Sequence, residues 1–461
     1  MVQELETDYL VVGAGAMGLA FADELLTRSP NARIIILDRR AKPGGHWNDA
    51  YPFVSLHQPA ALYGVSSEAL GTGGAALASG GEVLAYFERV VNKWVATGRL
   101  RFFPMCEYLG NGQFSSILAA GREYRVTVRK KIVDASYMKV EVPATKEPAY
   151  AVSPEISLTP PNGLTDIAQP WEGYVIIGGG KTGIDAILFL LELGVDSSAI
   201  RWIIPNDSWF LDRDHFTPGL IAGAGVAQLK CLANARTLKG LFESLEATGL
   251  VLRLDPDVWP TKYRCATVNQ RELEQLRGIR DIVRMGRVSR IEPTEIVLQQ
   301  GRIPTNSNTL HVDCTADGLA KRDVVPIFDG NLITLQSVFM CQQVFSAALL
   351  GFIETQFDED ETKNSLCEVV PHPELERDYV SALTVSMENA TRWMKHLFGW
   401  LRGSRLFLLH YESWWSLLRS GWLLRKLVPK LPAYRDSLLE EQIEQSDRGR
   451  VVREDTRRIS P

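Results

Sequence analysis

Two glycine-rich turns with one pattern, far apart in the chain, limit the fold more than any other feature of the sequence. Residues 11–18 read Val-Val-Gly-Ala-Gly-Ala-Met-Gly, and residues 176–183 read Ile-Ile-Gly-Gly-Gly-Lys-Thr-Gly. Each segment fits G-x-G-x-x-G and lies between a short apolar run and a helix-like stretch, which is the setting of a phosphate-binding strand–turn–helix unit. One match is a weak signal, but two in this setting predict two dinucleotide-binding turns in one protein.

The first turn has the residues that such a unit requires. Residues 9–12 form an apolar run typical of a buried parallel strand. Gly13 permits the tight turn, Gly15 lets the backbone approach a pyrophosphate, and Gly18 allows the following helix to pack on the strand. That helix is predicted over residues 16–28, with its free N–H groups directed at the phosphates.

An acidic residue follows the second strand of this unit. Residues 33–38 are apolar up to Asp38, which lies about 20 residues after the last glycine, where an acid binds ribose hydroxyls. The residues assigned to cofactor binding in this unit are Gly13, Gly15, Gly18, Asp38 and Arg39.

The second turn carries a lysine and a threonine after its glycines. A P-loop would need a glycine at position 175, where Val175 stands, so ATP binding is excluded. The residues assigned to this second cofactor site are Gly178, Gly180, Lys181, Thr182 and Gly183.

The stretches that follow the two turns resemble each other. Each passes through short β-like pieces and ends in a Val-Asp-(Ala/Cys)-(Ser/Thr) strand, at residues 132–136 and 311–315. Chance recurrence is the alternative for so short a motif, but the matched order of elements favours a duplicated unit. The predicted fold class is α/β, with two dinucleotide-binding (Rossmann-like) domains of the two-dinucleotide flavoprotein type and a helical C-terminal region.

Proline-rich segments place the domain boundaries. Residues 142–161 hold five prolines and predict an extended linker, and the chain is expected to return near residues 303–304. The predicted parts are an FAD-binding domain over 1–150 and 306–353, an NAD(P)-binding domain over 151–305, and a helical C-terminal region over 354–461.

Composition excludes several classes of protein. A net charge of −5 gives no electrostatic basis for nucleic-acid binding. Six scattered cysteines without a C-x-x-C pair argue against a redox-active disulfide and a zinc site, so no metal and a reducing compartment are expected. A signal peptide and a membrane-spanning run are not predicted. We therefore expect a cytoplasmic protein.

Paired glycines follow the first unit, in Gly44-Gly45-His46-Trp47, and their backbone N–H groups can reach a pyrophosphate or a flavin edge. Residues 51–59, which read Tyr-Pro-Phe-Val-Ser-Leu-His-Gln-Pro, then supply an imidazole and an amide close in sequence to the cofactor segment. His57 and Gln58 are the candidate catalytic residues. A structural loop with a surface histidine is the alternative.

These motifs resemble the class B flavoprotein monooxygenases, which are the flavin-containing monooxygenases and their Baeyer–Villiger relatives. The resemblance covers residues 5–65 and 172–215 well, and the rest by order of elements. It implies that the first turn and Asp38 bind FAD, with Gly45, His46 and Trp47 beside it, and that the second turn binds NADPH. In that family an asparagine lies near flavin C4a, where an oxygen adduct forms, and His57 occupies its position here.

Three departures from the family pattern mark a divergent member. The phenylalanine–glycine–histidine–tyrosine motif is missing from residues 156–175, and His57 replaces the asparagine. Pro205 stands where the family has the arginine that binds the 2′-phosphate. Lys181 or Arg213 could supply positive charge instead, so the second cofactor is NADPH or NADH.

A final flavin-domain helix is expected over residues 339–352, with Gln336 and Ser337 near the flavin pyrimidine ring at its N-terminus. Beyond it, five tryptophans alternate with arginines and lysines over residues 392–426. Packing on the flavin domain, a lid over a substrate channel, and contact with a membrane interface are the three interpretations of this region.

The sequence therefore predicts an FAD-dependent oxidoreductase, most simply an NAD(P)H-dependent monooxygenase that uses O2 and a flavin C4a-oxygen adduct on a small, possibly apolar, organic substrate. One alternative is an FAD-dependent oxidase or dehydrogenase with a vestigial nicotinamide site. Another is a redox-responsive, non-enzymatic flavoprotein scaffold. Substrate identity and oligomeric state are not indicated by any residue pattern.

Overall fold

A computed structural model describes residues 2–316, 318–319 and 321–440. Its helices are α1 (Ala16–Arg28), α2 (Gly80–Ala96), α3 (Lys181–Glu192), α4 (Ile221–Asn234), α5 (Leu238–Ala247), α6 (Gln270–Arg277), α7 (Gln343–Gln356), α8 (Asp360–Leu366), α9 (Glu376–His396), α10 (Phe398–Gly403) and α11 (Trp414–Leu427). Residues 431–440 are also helical.

The strands are, in chain order, β1 (Val2–Val12), β2 (Ile34–Leu37), β3 (Gly64–Val65), β4 (Glu68–Ala69), β5 (Leu100–Phe103), β6 (Cys106–Gly110), β7 (Gln113–Ser116), β8 (Glu123–Asp134), β9 (Val140–Glu141), β10 (Ala151–Val152), β11 (Leu158–Thr159), β12 (Gly173–Ile177), β13 (Ile200–Ile203), β14 (Ser208–Asp212), β15 (Val251–Leu252), β16 (Lys262–Val268), β17 (Asp281–Val283), β18 (Val288–Ile291), β19 (Glu295–Leu298), β20 (Gly301–Pro304), β21 (Thr309–Asp313), β22 (Gly318–Leu319), β23 (Phe328–Asp329) and β24 (Leu332–Thr334).

Two sheets carry the two glycine turns and confirm the predicted α/β class. The first has the order β23-β24-β8-β1-β2-β5, and the second has the order β11-β21-β12-β13-β17. In the first sheet Val12 pairs in parallel with Asp134, and in the second Ile177 pairs in parallel with Asp313. Each turn therefore follows the carboxyl end of a central strand. In both sheets the neighbouring strand pairs with that central strand in the same register.

The first strand is longer than its apolar run indicates. It begins at Val2 rather than near Tyr9, because residues 2–7 pair with residues 123–128 of β8. The acidic residues of this part lie on an exposed edge, where Glu4 pairs with Arg125 at 3.2 Å. Because β1 pairs with β8 along its whole length, β8 is one continuous strand, where two short strands were expected.

The proline-rich segment is more than a linker. Its residues 151–152 form β10, which pairs with β18, and its residues 158–159 form β11, which adds to the second sheet beside β21. Both pieces are short and flanked by prolines, as edge strands tolerate.

The helices divide between the two halves. Helix α1 packs against α7, and a Cβ on Gly351 would lie only 2.8 Å from the backbone oxygen of Phe21, so a glycine is needed at this crossing. A smaller sheet, β15-β14-β16, packs with α4, α5 and α9 around buried Trp209. Within the described residues, no helix combines the length and apolar character that a bilayer crossing requires.

The tryptophans of the C-terminal region have two different environments. Trp393 and Trp400 are buried in the core of the first half, where Trp393 donates to the backbone oxygen of Leu366 at 2.7 Å. Trp414, Trp415 and Trp422 lie on α11 and are exposed. Packing thus accounts for two of the five tryptophans and leaves three on the surface.

Candidate functional site

The two glycine turns have the same geometry. The φ angle is +107° at Gly13 and +129° at Gly178, a left-handed conformation that favours glycine. A Cβ on Gly18 would lie 2.2 Å from the backbone oxygen of Gly13, and a Cβ on Gly183 would lie 2.2 Å from that of Gly178. The first and third glycines are therefore required by the fold of each turn.

The strand that ends beside each turn is also equivalent in the two halves. The backbone N–H of Ala135 donates to the oxygen of Val12 at 3.0 Å, and that of Cys314 donates to the oxygen of Ile177 at 2.8 Å. The residue before each, Asp134 or Asp313, accepts bonds from the backbone N–H and hydroxyl two positions later. The two Val-Asp motifs thus form the same hydrogen-bonded arrangement in both halves.

The middle glycine of each turn leaves room for a ligand. Gly15 and Gly180 are the N-cap residues of α1 and α3, and neither helix has a side chain that caps it. A Cβ on Gly180 would meet no atom within 4 Å, and one on Gly15 would meet only Gly45 Cα, at 3.7 Å. The free N–H groups of both helix ends can therefore receive a pyrophosphate.

Asp38 and Arg39 follow β2 but point to different places. Asp38 is buried and accepts bonds from the backbone N–H of Ala14 at 2.7 Å and of Arg40 at 2.8 Å, so it braces the first turn. Each of its oxygens has further acceptor capacity for a ribose hydroxyl. Arg39 is exposed and pairs with Glu107 at 3.0 Å, a contact that the sequence did not predict.

The paired glycines pack directly on the first turn. Gly44 donates to the oxygen of Ala14 at 2.8 Å, and a Cβ on Gly45 would lie 2.9 Å from Gly15 Cα. Trp47 is buried, and its indole N–H donates to the Tyr63 hydroxyl at 2.8 Å. The indole therefore anchors the loop, while the backbone of the glycines borders the phosphate site.

His46 and Trp47 lie in a short helical turn, Gly45–Asn48, and their rings stack with centroids 5.4 Å apart. Burial, with the nearby Arg40 charge, lowers the pKa of His46 to about 4. The imidazole of His46 is therefore neutral at pH 7.

A tyrosine joins the two halves beside the second turn. The hydroxyl of Tyr51 donates to Asp185 on α3 at 2.6 Å and also bonds the Thr182 side chain. Asp185 forms an ion pair with Lys181, at the start of the same helix. The loop that leads to His57 is thus attached to the helix that follows the second turn.

The His57 loop is held by its backbone rather than its side chain. Its backbone oxygen accepts bonds from the Thr267 hydroxyl at 2.8 Å and from Arg213 Nε at 3.1 Å. Arg213 is buried and binds Glu272 through two bonds of 3.0 and 2.9 Å. In the structure the Arg213 guanidinium is thus bound on several sides by the protein itself.

The final helix begins later than expected. Helix α7 starts at Gln343 with Gln342 as its N-cap, so Gln336 and Ser337 do not lie at its N-terminus. Gln336 is buried and exchanges two bonds with the Val325 backbone, and the Ser337 hydroxyl donates to the oxygen of Met340 at 2.9 Å. Both side chains are satisfied within the protein.

Several buried polar atoms near this helix start lack partners. They belong to His57 (Nδ1), Gln342 (Oε1) and Gln343 (both amide atoms). His57, Gln58 and Gln342 line one cavity of about 90 Å³, together with Arg213 and Thr267. Buried polar atoms without partners are costly, so this cavity fits a polar ligand edge such as that of a flavin ring or a substrate. In the sequence, Gln342 and Gln343 only interrupt an apolar run.

A larger cavity of about 390 Å³ lies on the other side of Ser337. Its walls combine apolar residues, such as Met138 and Val385, with Gln336, Lys321 and His372. This volume is within the range of small-molecule sites.

Two of the cysteines are joined, contrary to the sequence-based expectation. Cys265 on β16 forms a disulfide with Cys341, just before α7, and both line the His57 cavity. A nitrogen of His372 and the two sulfur atoms lie within 4.8 Å of one another. The 76 residues between the cysteines explain why no short motif revealed the pair.

Histidines make folding stability depend on pH. Burial lowers the pKa of His57 to about 3, helped by the charges of Lys181, Arg213 and His372, and lowers that of His372 to about 4. Since an unfolded histidine titrates near pH 6.5, the unfolded chain binds more protons below that pH and stability is lost as pH falls. Asp23, whose pKa burial raises to about 6, partly offsets this loss.

We expect the thermal unfolding midpoint of the apoprotein to fall by several degrees between pH 7 and pH 5. The double variant His57→Gln/His372→Gln is expected to show a smaller decrease. A midpoint that stays constant or rises over this range would contradict the assignment of histidines that are neutral in the folded protein.

Comparisons with known proteins agree with this architecture. A family model described as an NAD(P)-binding Rossmann-like domain matches residues 11–63. The Mycobacterium tuberculosis protein Rv2000 is 46% identical over 423 residues, which is 88% of this chain and 78% of that protein. The FAD-dependent monooxygenase resA of Aspergillus sclerotiorum is 25% identical over 213 residues, 43% of this chain and 36% of that protein.

A solved structure also shares the fold. The polycyclic ketone monooxygenase of the thermophilic fungus Thermothelomyces thermophila has a TM-score of 0.50 at 13% identity, with 95% of this chain and 89% of that chain covered.

Proposed function

Because the chain belongs to the family of the mycobacterial protein Rv2000, a divergent branch with the class B flavoprotein monooxygenase fold, we propose that it is an FAD-dependent, NAD(P)H-dependent monooxygenase of a small organic substrate. The observation that carries the proposal is the pair of glycine turns with the same geometry, each with an uncapped helix end and an open middle glycine. Among the residues that the structure describes, no packing contact requires a glycine at position 15 or 180, so we take a ligand as the physical reason for both.

The first turn, Gly45 and Asp38 would hold the FAD, and the second turn would hold the nicotinamide coenzyme. When bound there, FAD would supply a hydride acceptor for the coenzyme and, in its reduced form, the chemistry that activates O2. The protein supplies orientation and exclusion of water. The cavity of about 90 Å³ provides polar groups without partners, and the one of about 390 Å³ provides mainly apolar walls for a substrate.

His57 and Gln58 are proposed to act at the reacting end of the cofactor. The His57 ring is neutral at pH 7, and its unpartnered Nδ1 can accept or donate a hydrogen bond there. Its backbone is fixed by Thr267 and Arg213. The loop therefore holds the imidazole in place without occupying its Nδ1 atom.

His57→Ala is expected to keep FAD bound but to increase the share of NAD(P)H electrons released as hydrogen peroxide by about threefold or more, because the group that shields and orients the oxygenated site is lost. Peroxide yield per NAD(P)H oxidised is the measurement. His57→Asn, which restores the residue of the related family, is expected to retain coupling. His396→Ala, at an exposed histidine of α9, is the control. Unchanged coupling in His57→Ala would remove this residue from the mechanism.

The two coenzymes are expected to reduce the protein with rates within about tenfold of each other, because neither cation predicted from sequence is free for a 2′-phosphate. Lys181 is bound to Asp185, and Arg213 is bound to Glu272. Steady-state kcat/KM for NADPH and NADH tests this. A preference of more than about 100-fold for NADPH would mean that one of these ion pairs opens for the coenzyme.

The proposal as a whole is tested by aerobic turnover of the purified protein. We expect bound FAD, NAD(P)H oxidation with one O2 consumed per coenzyme, and less peroxide when a panel of small apolar compounds includes the substrate. Oxygen consumption without coenzyme, driven by a substrate alone, would favour the oxidase alternative.

A further inference from the structure

The disulfide between Cys265 and Cys341 lies in the wall of the cavity that contains His57. It connects β16, in the small sheet beside the second half, with the turn before α7, which packs on the first half. Both cysteines line the same cavity as His57 and Gln58. The crosslink therefore bridges the two halves at the wall of the candidate active site.

The backbone at both ends of the crosslink is in a rare conformation. The φ angle is +56° at Cys265 and +40° at Met340, next to Cys341. Strand β16 also bulges at this point, since three residues, 264–266, lie opposite the single residue Phe210 of β14. β-Bulges and residues with a left-handed backbone change the direction of side chains. They are found at functional sites, although they reduce stability.

The two cysteine residues of the disulfide differ in exposure. Cys265 is 7% exposed, whereas Cys341 and His372 are only partly buried. The other cysteines, Cys106, Cys231, Cys314 and Cys367, are buried and unpaired. Cys341 is therefore the more exposed residue of the pair and the one assigned as the point of attack, with Cys265 as the leaving sulfur.

We propose that Cys265 and Cys341 form a redox-active pair in the wall of the active site, which small thiols reduce by thiol–disulfide exchange. A thiolate attacks Sγ of Cys341, a mixed disulfide forms, and Cys265 leaves as a thiolate that takes up a proton. A second thiolate attacks the small thiol's sulfur, releases Cys341 and leaves as the oxidised small disulfide. In total, one protein disulfide and two thiols give two protein thiols and one small disulfide.

The test is native alkylation of the complete protein after equilibration in glutathione buffers of different redox ratio, with each cysteine peptide quantified by mass spectrometry. We expect about two reactive thiols per chain in reducing buffer and about none in oxidising buffer, with full reversibility. The four buried cysteines serve as internal controls and should remain unlabelled. This readout does not depend on flavin or activity, so its failure is distinct from failure of the proposed function.

Two outcomes would overturn the inference. Labelling of the pair only after denaturation would mean an inert crosslink. Thiols present in every buffer, with a stoichiometric metal ion found by elemental analysis, would mean a metal site of Cys265, Cys341 and His372. In the variants Cys341→Ser and Cys265→Ser the intramolecular disulfide cannot form in any buffer, so the remaining cysteine should be found only as a free thiol or as a mixed disulfide with glutathione; Cys231→Ser is the matched control.

A second inference rests on helix α11. Four of its large apolar side chains are exposed: Trp415 at 82%, Leu418 at 64%, and Trp414 and Trp422 at 61%. The opposite face of α11 packs on the protein through Leu424 and Leu427. An exposed face of this kind marks an interaction surface.

The charges beside the exposed face of α11 indicate which kind of partner binds there. Arg419, Arg425 and Lys426 lie on α11, whose sequence contains no acidic residue. The Lys426 ammonium lies 3.6 Å from the centre of the Trp422 ring, and the Arg402 guanidinium lies 4.9 Å from that of Trp414. Tryptophans beside cations suit the boundary between lipid headgroups and acyl chains, and the positive charge suits anionic lipids.

We propose that α11 lies in the surface of an anionic membrane. In flotation assays, vesicles of phosphatidylcholine with phosphatidylglycerol should bind the full chain, and those of phosphatidylcholine alone should bind it at least about tenfold less. Trp415→Ser/Trp422→Ser should lower binding to the anionic vesicles by a similar factor. Leu118→Ser, at a leucine that is 76% exposed elsewhere, is the matched control.

Absence of flotation with anionic vesicles would overturn this second proposal. So would a dimer, measured by light scattering, that the double tryptophan variant abolishes, since a second copy of the chain would then be the occupant of the face.

Discussion

A valine at Gly180 is expected to leave the fold intact and FAD bound, yet to slow flavin reduction by NADPH and NADH by at least about 100-fold. Gly180 has φ −88° and ψ −178°, which valine adopts readily, and a Cβ there would meet no atom of the protein within 4 Å. The side chain would instead project into the place of the coenzyme pyrophosphate. Loss of about 3 kcal/mol of backbone contacts corresponds to the stated factor.

The second-order rate constant for reduction, measured anaerobically by stopped-flow absorbance, tests this expectation. Gly225→Ala, at an α4 glycine whose added Cβ also meets no atom within 4 Å, is the control for loss of a glycine. Reduction of Gly180→Val at the rate of the unmodified protein would show that the second turn does not bind the coenzyme.

An alanine at Gly15 is expected to abolish FAD binding without unfolding the chain. The backbone angles there, φ −78° and ψ 176°, suit alanine, and the added Cβ would touch only Gly45 Cα at an ordinary distance of 3.7 Å. A bound pyrophosphate, however, would have to approach the backbone at this position. We expect the FAD content of the purified protein to fall by at least about tenfold.

Flavin content by absorbance, with circular dichroism to verify the fold, is the measurement for Gly15→Ala. Gly81→Ala, at a glycine of α2 with open space around its Cβ, is the control in the same half of the molecule. Full FAD occupancy in Gly15→Ala would mean that the cofactor lies elsewhere. Gly18→Ala is unsuitable for this purpose, because its Cβ would collide with Gly13 and disturb the turn itself.

Local patterns predicted the parts of this molecule that depend on neighbours in sequence. Helix α1 spans Ala16–Arg28 as expected, since a glycine turn and an apolar period determine where it starts and how it packs. The repeated Val-Asp motif likewise has one geometry in both halves. In each case a few consecutive residues hold all the information that the structure uses.

Partners that lie far apart in sequence could not be predicted in the same way. Arg213 meets the His57 backbone across 156 residues, a contact that the family resemblance, which suggested Arg213 as a source of positive charge for the second cofactor, did not indicate. Tyr51 meets Asp185 across 134 residues. A hydrogen-bond partner at such separation depends on the packing of whole elements, which no short pattern reports.

The start of α7 shows a third kind of difference. An apolar run continues from Val338 through Phe352, interrupted by Gln342 and Gln343, and the run alone suggests an earlier helix. The helix instead begins at these glutamines, because the preceding turn is held by Ser337 and by the left-handed Met340. The polar break thus marks the helix end that faces the candidate site.

The most direct test of a two-dinucleotide enzyme is anaerobic mixing of the purified protein with NADPH, and then with NADH, in a stopped-flow spectrometer. For such an enzyme we expect rapid loss of the oxidised-flavin absorbance band with both coenzymes. A flavin that stays oxidised with both would contradict it, and would leave the turn at Gly178 as a structural remnant in an oxidase.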